Sequence, residues 1–198
     1  MSIELLKNLT VKVDKLRALF ALNSYSILGR KKLASVLGVG EGYARNIISA
    51  LKKDGLVKED RHGIALTEEG KMFIAKIFEH ITPYFNIQVL EFPNSKAVLV
   101  KNAGEYVKIG LEERDWAIKM GAAGALIITY SRGNFWFPGL SNLSHEYPQL
   151  VMSIKHVNPE ENDVIIITWG STQKDSERGA LGAALELIRK AGNLNILV

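Results

Sequence analysis

Residues 42–53 constrain this chain more than any other segment. Their apolar members Ala44, Ile47, Ile48 and Leu51 fall at i, i+3, i+4 and i+7, the spacing that lines up one stripe along an α-helix. Such a stripe must be buried against other elements, so the segment belongs to a packed helical unit. The opposite face carries Tyr43, Arg45, Asn46, Ser49, Lys52 and Lys53. These residue types read base edges and grip phosphates: Arg pairs with guanine and Asn with adenine, while Lys and Ser hold the backbone. Gly38-Val39-Gly40-Glu41-Gly42 precedes the helix and reads as a tight turn, because glycine accepts backbone angles that other residues resist.

The neighbouring segments supply the rest of such a unit. A first helix is expected over residues 10–22, with Thr10 as N-cap and Val13, Leu16 and Phe20 on one face. A second begins near Gly29 and turns Leu33, Ala34 and Leu37 inward. After the third helix, Asp54-Gly55 is a stop. Leu56-Val57-Lys58 and Ile64-Ala65-Leu66 read as short strands around the loop Glu59-Asp60-Arg61-His62-Gly63. Thr67 caps a fourth helix, with Glu68 and Glu69 in its first turn, where the dipole favours acids. Met72, Phe73, Ile77 and Phe78 would pack that helix back on the core.

Lys32-Leu33-Ala34-Ser35-Val36-Leu37-Gly38-Val39, then Leu51-Lys52-Lys53-Asp54-Gly55-Leu56-Val57, then Leu66-Thr67-Glu68-Glu69-Gly70 resemble the winged helix-turn-helix transcription regulators of bacteria and archaea. The resemblance covers residues 10–81. It implies double-stranded DNA as partner, with Gly40, Glu41, Gly42, Tyr43, Arg45, Asn46 and Ser49 entering the major groove. Lys52 and Lys53 would hold the backbone, and Arg61 and His62 at the wing tip would approach the minor groove or a phosphate. Glu41, Glu59 and Asp60 run against this, since carboxylates repel phosphate. Glu41 can instead accept from a cytosine amino group or complement the helix dipole. The same residues suit a second reading, in which the winged helix docks on protein and its cations are merely solvated.

Charge is uneven. Residues 1–82 hold 14 Lys and Arg against 9 Asp and Glu, a net +5, whereas residues 83–198 hold 11 against 12, a net −1. A basic head on a neutral body suits a polyanion partner. Thr82-Pro83 is the expected boundary, because a helical pattern ends there and the residue before proline is biased away from helix. That gives a DNA-binding domain over residues 1–82 and a second domain over residues 83–198. The apolar runs at residues 122–129 and 164–169 fall far short of the ~20 residues that span a bilayer, so no membrane association is expected. Residues 1–7 carry an early acid and no small-residue cleavage site, which speaks against a signal peptide. With no cysteine in the chain, disulfides and thiolate chemistry are excluded. A cytoplasmic location is expected.

Beyond the boundary the pattern changes to extended runs at residues 87–92, 97–100, 125–130, 135–137, 150–154 and 164–169, with helical patterns at 111–120 and 176–191. Hairpin-like turns such as Tyr130-Ser131-Arg132-Gly133-Asn134-Phe135 point to a largely antiparallel sheet. The expected fold is α+β: an N-terminal winged helix-turn-helix, then a mostly antiparallel sheet with two helices on one face. Gly179, Gly182 and Ala183 give the last helix a small-residue face for close approach to the sheet. Residues 110–126, from Gly110-Leu111-Glu112-Glu113-Arg114-Asp115-Trp116-Ala117 to Gly121-Ala122-Ala123-Gly124-Ala125-Leu126, resemble an uncharacterised archaeal domain found behind winged helices. The layout is also loosely similar to the inserted domain of bacterial aspartyl-tRNA synthetases, which would imply an RNA-associated factor.

His62, His80, His145 and His156 show no metal-ligand spacing, and no nucleophile elbow, P-loop or dinucleotide fingerprint occurs. No metal, cofactor or catalysis is expected. Gly170-Ser171-Thr172-Gln173-Lys174 follows an apolar strand and precedes a helix, a setting in which Ser171, Thr172 and Lys174 would hold a small anionic effector. Equally, Asp175 or Ser176 would simply cap that helix. Arg114 and Arg132 are further effector candidates, although Arg114-Asp115 also fits a structural ion pair. The leading expectation is a homodimeric transcription regulator whose second domain dimerises or senses a small molecule. An adaptor or RNA-associated factor is the alternative, and an enzyme with a DNA-binding head a third.

Overall fold

The computed structural model describes residues 3–87, 92 and 94–192. It comprises two compact units, residues 1–78 and 79–198. The division precedes the Thr82-Pro83 position expected from the proline. The cause is that Ile81 already bridges to Val100 and the Thr82 N–H donates to the Leu99 carbonyl at 2.9 Å.

The first unit runs α1 (Ile3–Tyr25), β1 (Ile27–Leu28), α2 (Arg30–Leu37), α3 (Glu41–Lys53), β2 (Val57–Asp60), β3 (Gly63–Leu66) and α4 (Glu68–Phe78). Helix α1 outruns the expected residues 10–22 at both ends, and Thr10 lies within it and does not cap it. Leu, Glu and Lys upstream of Thr10 are strong helix formers, while Ser26 in the left-handed region (φ 63°) ends the helix. Leu19, Leu22, Leu33, Leu37, Ile47, Ile48, Leu51 and Ile74 share one buried cluster. Met72 is 63% exposed, against expectation, and Ile74 takes the inward place because Gly70, Ile74 and Ile77 form the buried stripe of α4.

The turn expected as a wing is tighter than the five-residue loop read from the sequence. Strands β2 and β3 pair antiparallel as far as Asp60 opposite Gly63, so Glu59 and Asp60 belong to a strand and Arg61-His62 alone make the turn. Strand β1, unforeseen in the sequence, pairs on the other side of β3, giving the order β1-β3-β2. Gly63 permits this: at φ 138°, a Cβ there would stand 2.8 Å from the Leu28 carbonyl oxygen.

The second unit builds one antiparallel sheet in the order β4-β5-β8-β6-β7. Its elements are β4 (Phe85–Asn86), β5 (Lys96–Val100), α5 (Leu111–Lys119), β6 (Gly124–Ser131), β7 (Asn134–Trp136), α6 (Leu143–Glu146), α7 (Pro148–Ile154), β8 (Val164–Trp169) and α8 (Gln173–Lys190). Of the extended run expected at residues 87–92, residues 88–91 lie outside the described residues. Residues 150–154 are helical, not extended. Pro148 opens α7, where its fixed φ suits a first turn, and the helix then buries Ile154 while leaving Met152 77% exposed.

Side chains alternate across the sheet. Ala97, Leu99, Ile128, Ile165 and Ile167 pack with Leu143 of α6 and Ile154 of α7. The other face meets α8, where the Thr168 hydroxyl donates to the Ser176 carbonyl at 2.8 Å. Helices α5 and α8 thus cover one face as expected, and α6 and α7 add a layer on the other. The small face of α8 meets α5 and the turn behind it more than the sheet: added Cβ atoms at Gly179 and Gly182 would reach the Ala122 Cβ and the Met120 Cγ at 2.6 and 2.3 Å.

Candidate nucleic-acid interface

Helix α2 ends because Gly38 turns left-handed (φ 62°, ψ 38°). The Gly38 N–H donates to the Ser35 carbonyl at 3.1 Å and the Val39 N–H to the Ala34 carbonyl at 3.0 Å, satisfying orphan carbonyls. Gly40 then starts α3 from an extended conformation with no side-chain cap. The stripe expected in the sequence is the buried one: Ala44, Ile47, Ile48 and Leu51 are all inside.

A polar cluster that sequence reasoning missed locks this turn to α1. Asp14 and Arg17 are fully buried, and the Arg17 guanidinium donates to Asp14 Oδ1 at 3.0 Å. It also donates to the carbonyl of Leu37, the last residue of α2, at 2.9 Å. The Tyr43 hydroxyl closes the cluster by donating to Asp14 Oδ2 at 2.9 Å. Tyr43 is therefore not offered to a groove. Its ring packs partly against the core, because one end of a tyrosine is apolar and its hydroxyl finds a buried acceptor. An acid and an arginine three residues apart on one helix were the available signal, but that spacing also fits an exposed pair.

Glu41, Arg45, Asn46, Ser49, Lys52 and Lys53 are all exposed on α3, as are Arg61 and His62 at the tip of the β2–β3 hairpin. Lys52 bonds Glu59 on β2 at 3.0 Å, so it offsets the hairpin's acid as well as facing solvent. Arg45 and Lys53 make no ion pair among the described residues. At the tip, the Arg61 Nε donates to His62 Nε2 at 3.1 Å and the His62 N–H to Asp60 Oδ1 at 2.7 Å, so Asp60 serves the turn. Arg30, Lys31 and Lys32 form a second exposed group that the sequence reading passed over. Three cations with no acid in the first turn of α2 oppose the helix dipole, and that local cost was the signal.

Gly42 has open space where a Cβ would stand, so packing does not require glycine there. Gly42→Ala is expected to leave the fold intact or raise stability by about 0.5–1 kcal/mol through helix propensity. A urea midpoint lower than that of the parent would contradict this reading.

The candidate effector residues are not brought together. Thr172, and neither Asp175 nor Ser176, is the N-cap of α8. Its hydroxyl bonds the Asp175 carboxylate at 2.7 Å, and that carboxylate accepts the Thr172 N–H at 3.1 Å. The protein's own acid thus occupies the position an anion would take. Ser171 is exposed and Lys174 half-buried beside it. Arg114 pairs with Asp115 at 3.6 Å on α5. Arg132 sits in the β6–β7 turn with its N–H on Glu161 at 2.8 Å. A separate cavity of about 400 Å³ lies beside Tyr106, Ile109, Leu111 and Lys190 and contains none of the five. Burial disfavours the Lys190 ammonium, but its hydrogen bonds to Glu112 and Glu113 outweigh this and raise its pKa. Among the described residues no cluster could hold a metal ion and no helix is long and apolar enough to cross a membrane.

Residues 14–81 match the CggR N-terminal DNA binding domain, and residues 93–187 match a domain of unknown function, DUF4443. No curated protein matches the chain. Among solved structures, a hypothetical protein from Pyrococcus horikoshii OT3 is 30% identical with a TM-score of 0.79, over 94% of this chain and 97% of that one. With a DNA-binding-type head, a DUF4443 body and that likeness along nearly its whole length, the chain belongs to the same family as the Pyrococcus horikoshii protein.

Proposed function

We propose that this protein is a transcription regulator that lays α3 in the major groove of duplex DNA. The observation that carries the reading is the outer face of α3, where Arg45, Asn46, Ser49 and Lys53 stay exposed while the inner stripe is buried. Arg45 and Asn46 meet base edges, Ser49 and Lys53 the backbone. The Arg30-Lys31-Lys32 group at the start of α2 holds phosphates, as the first helix of a helix-turn-helix does when it crosses the backbone. Arg61 and His62 reach toward the minor groove. One recognition helix reads few base pairs, so two copies sit on half-sites about 34 Å apart. The match to a DNA-binding domain family over residues 14–81 supports this reading.

Fluorescence anisotropy with labelled duplex DNA tests it. About four phosphate contacts imply a log–log salt slope near −3.6, so affinity should fall about 150-fold between 50 and 200 mM salt. Arg45→Glu with Lys53→Glu should weaken binding by at least about 100-fold while leaving circular dichroism unchanged, since both side chains are exposed. A flat salt response, or full binding by the double variant, would end the proposal.

A further inference from the structure

Helix α5 turns Glu113 and Ala117 inward, with Met120 buried just behind them, against α8. Its outer stripe at i, i+3, i+4 and i+7 is Leu111, Arg114, Asp115 and Ile118. Leu111 and Ile118 are each 45% exposed, and the Arg114 and Asp115 side chains 47% and 54%. The four form a self-complementary set. An antiparallel copy whose two-fold axis passes between Arg114 and Asp115 sets Leu111 against Ile118 of the second copy, and each Arg114 against the other Asp115. Every apolar residue then meets an apolar one and every cation an anion, as an isologous interface demands. Within one chain Arg114 and Asp115 are only loosely paired at 3.6 Å, leaving both able to pair across the axis.

We propose that the outer face of α5 is the surface on which two copies of this chain dimerise. A specific interface buries about 800 Å² per partner, more than two helical turns present. The surface therefore extends to exposed Ile109, which lines one cavity with Leu111. It also takes in Leu140, 81% exposed and next to Gly139, which packs on Ile109. The inference rests on the DNA-binding reading for its purpose, a two-fold protein for two half-sites, but its geometry is independent of α3.

The test uses the full chain without DNA, in sedimentation velocity. The parent should be a dimer at tens of micromolar, and Asp115→Arg should weaken it at least about tenfold by setting four cations at the axis. Arg114→Asp with Asp115→Arg should restore the dimer, because the swapped pair is again complementary. The chain has no cysteine, so Leu111→Cys with Ile118→Cys gives a second, covalent readout. Seven residues apart on a helix is about 10.5 Å, too far for a disulfide within one chain, so an oxidised dimer band reports that two copies meet on this face. A monomeric parent, a dimer indifferent to Asp115→Arg, or a charge swap that fails to restore it would overturn the proposal. Retained salt-dependent duplex binding in that event would leave the DNA-binding reading standing.

Discussion

Asp14→Ala is expected to cost the N-terminal unit about 3–5 kcal/mol, because it strips one partner from a fully buried ion pair and takes the Asp14 carboxylate away from the buried Arg17 charge. Domains of this size are stable by only about 5–15 kcal/mol, so the loss would consume much of the margin. The consequence goes beyond stability. Arg17 holds the carbonyl that ends α2, and Asp14 receives the Tyr43 hydroxyl from the first turn of α3, so loosening the pair frees α3 from α1. The joint replacement Asp14→Leu, Arg17→Met and Tyr43→Phe should come much closer to the parent in stability, since a whole buried polar cluster exchanged for apolar groups is often near neutral. Urea denaturation of the full chain, followed by circular dichroism, separates the two. A loss below about 1 kcal/mol for Asp14→Ala would show that the cluster does not hold the turn.

Gly70→Ala should destabilise the same unit by about 3 kcal/mol, the upper end for forced overpacking. Helix propensity alone forecasts the opposite, a gain of about 1 kcal/mol for alanine over glycine. The structure reverses that sign because a Cβ on Gly70 would stand 2.0 Å from the Leu56 carbonyl oxygen. That oxygen cannot swing aside: it accepts the Thr67 N–H at 3.1 Å, while the Leu56 N–H is held by the Leu51 carbonyl at 2.9 Å. Thr67 further bonds the Gly55 carbonyl and caps α4 through the Gly70 N–H. One backbone junction therefore joins the end of α3, the start of the β2–β3 hairpin and the first turn of α4. For a unit of this size such a loss lowers the melting temperature by more than about 10 °C, and an unchanged melting curve would refute the clash.

The contrast between Gly70 and Gly42 shows where sequence reading stopped. Both are glycines in the first turn of a helix, and both look like helix weaknesses. Gly42 has open space around it, whereas Gly70 has another segment's carbonyl against it, and no local pattern tells them apart. Tyr43 and Asn46 are a similar pair. Period placed both on the polar face of α3, yet the tyrosine reaches back to a carboxylate 29 residues earlier, a partner that its own neighbours do not announce. Thr172 shows the reverse case: its capping box with Asp175 is local and was in principle readable, but the motif is weak enough that Asp175 and Ser176 competed for the cap.

What the amino acids settled on their own were features of short range: the buried stripe of α3, the glycine that ends α2, the Thr67 cap, the uneven charge and the antiparallel character of the second unit. Each depends on residues within a turn or two of one another, where periodicity and backbone preference act directly. Tertiary structure alone decided the strand order β4-β5-β8-β6-β7, the helical state of residues 148–154, the burial of Asp14 and Arg17, and the bond of the Tyr43 hydroxyl to Asp14. A short apolar run satisfies either period, and a polar side chain satisfies either water or a buried partner. Which one prevails depends on segments that meet only after the chain has folded.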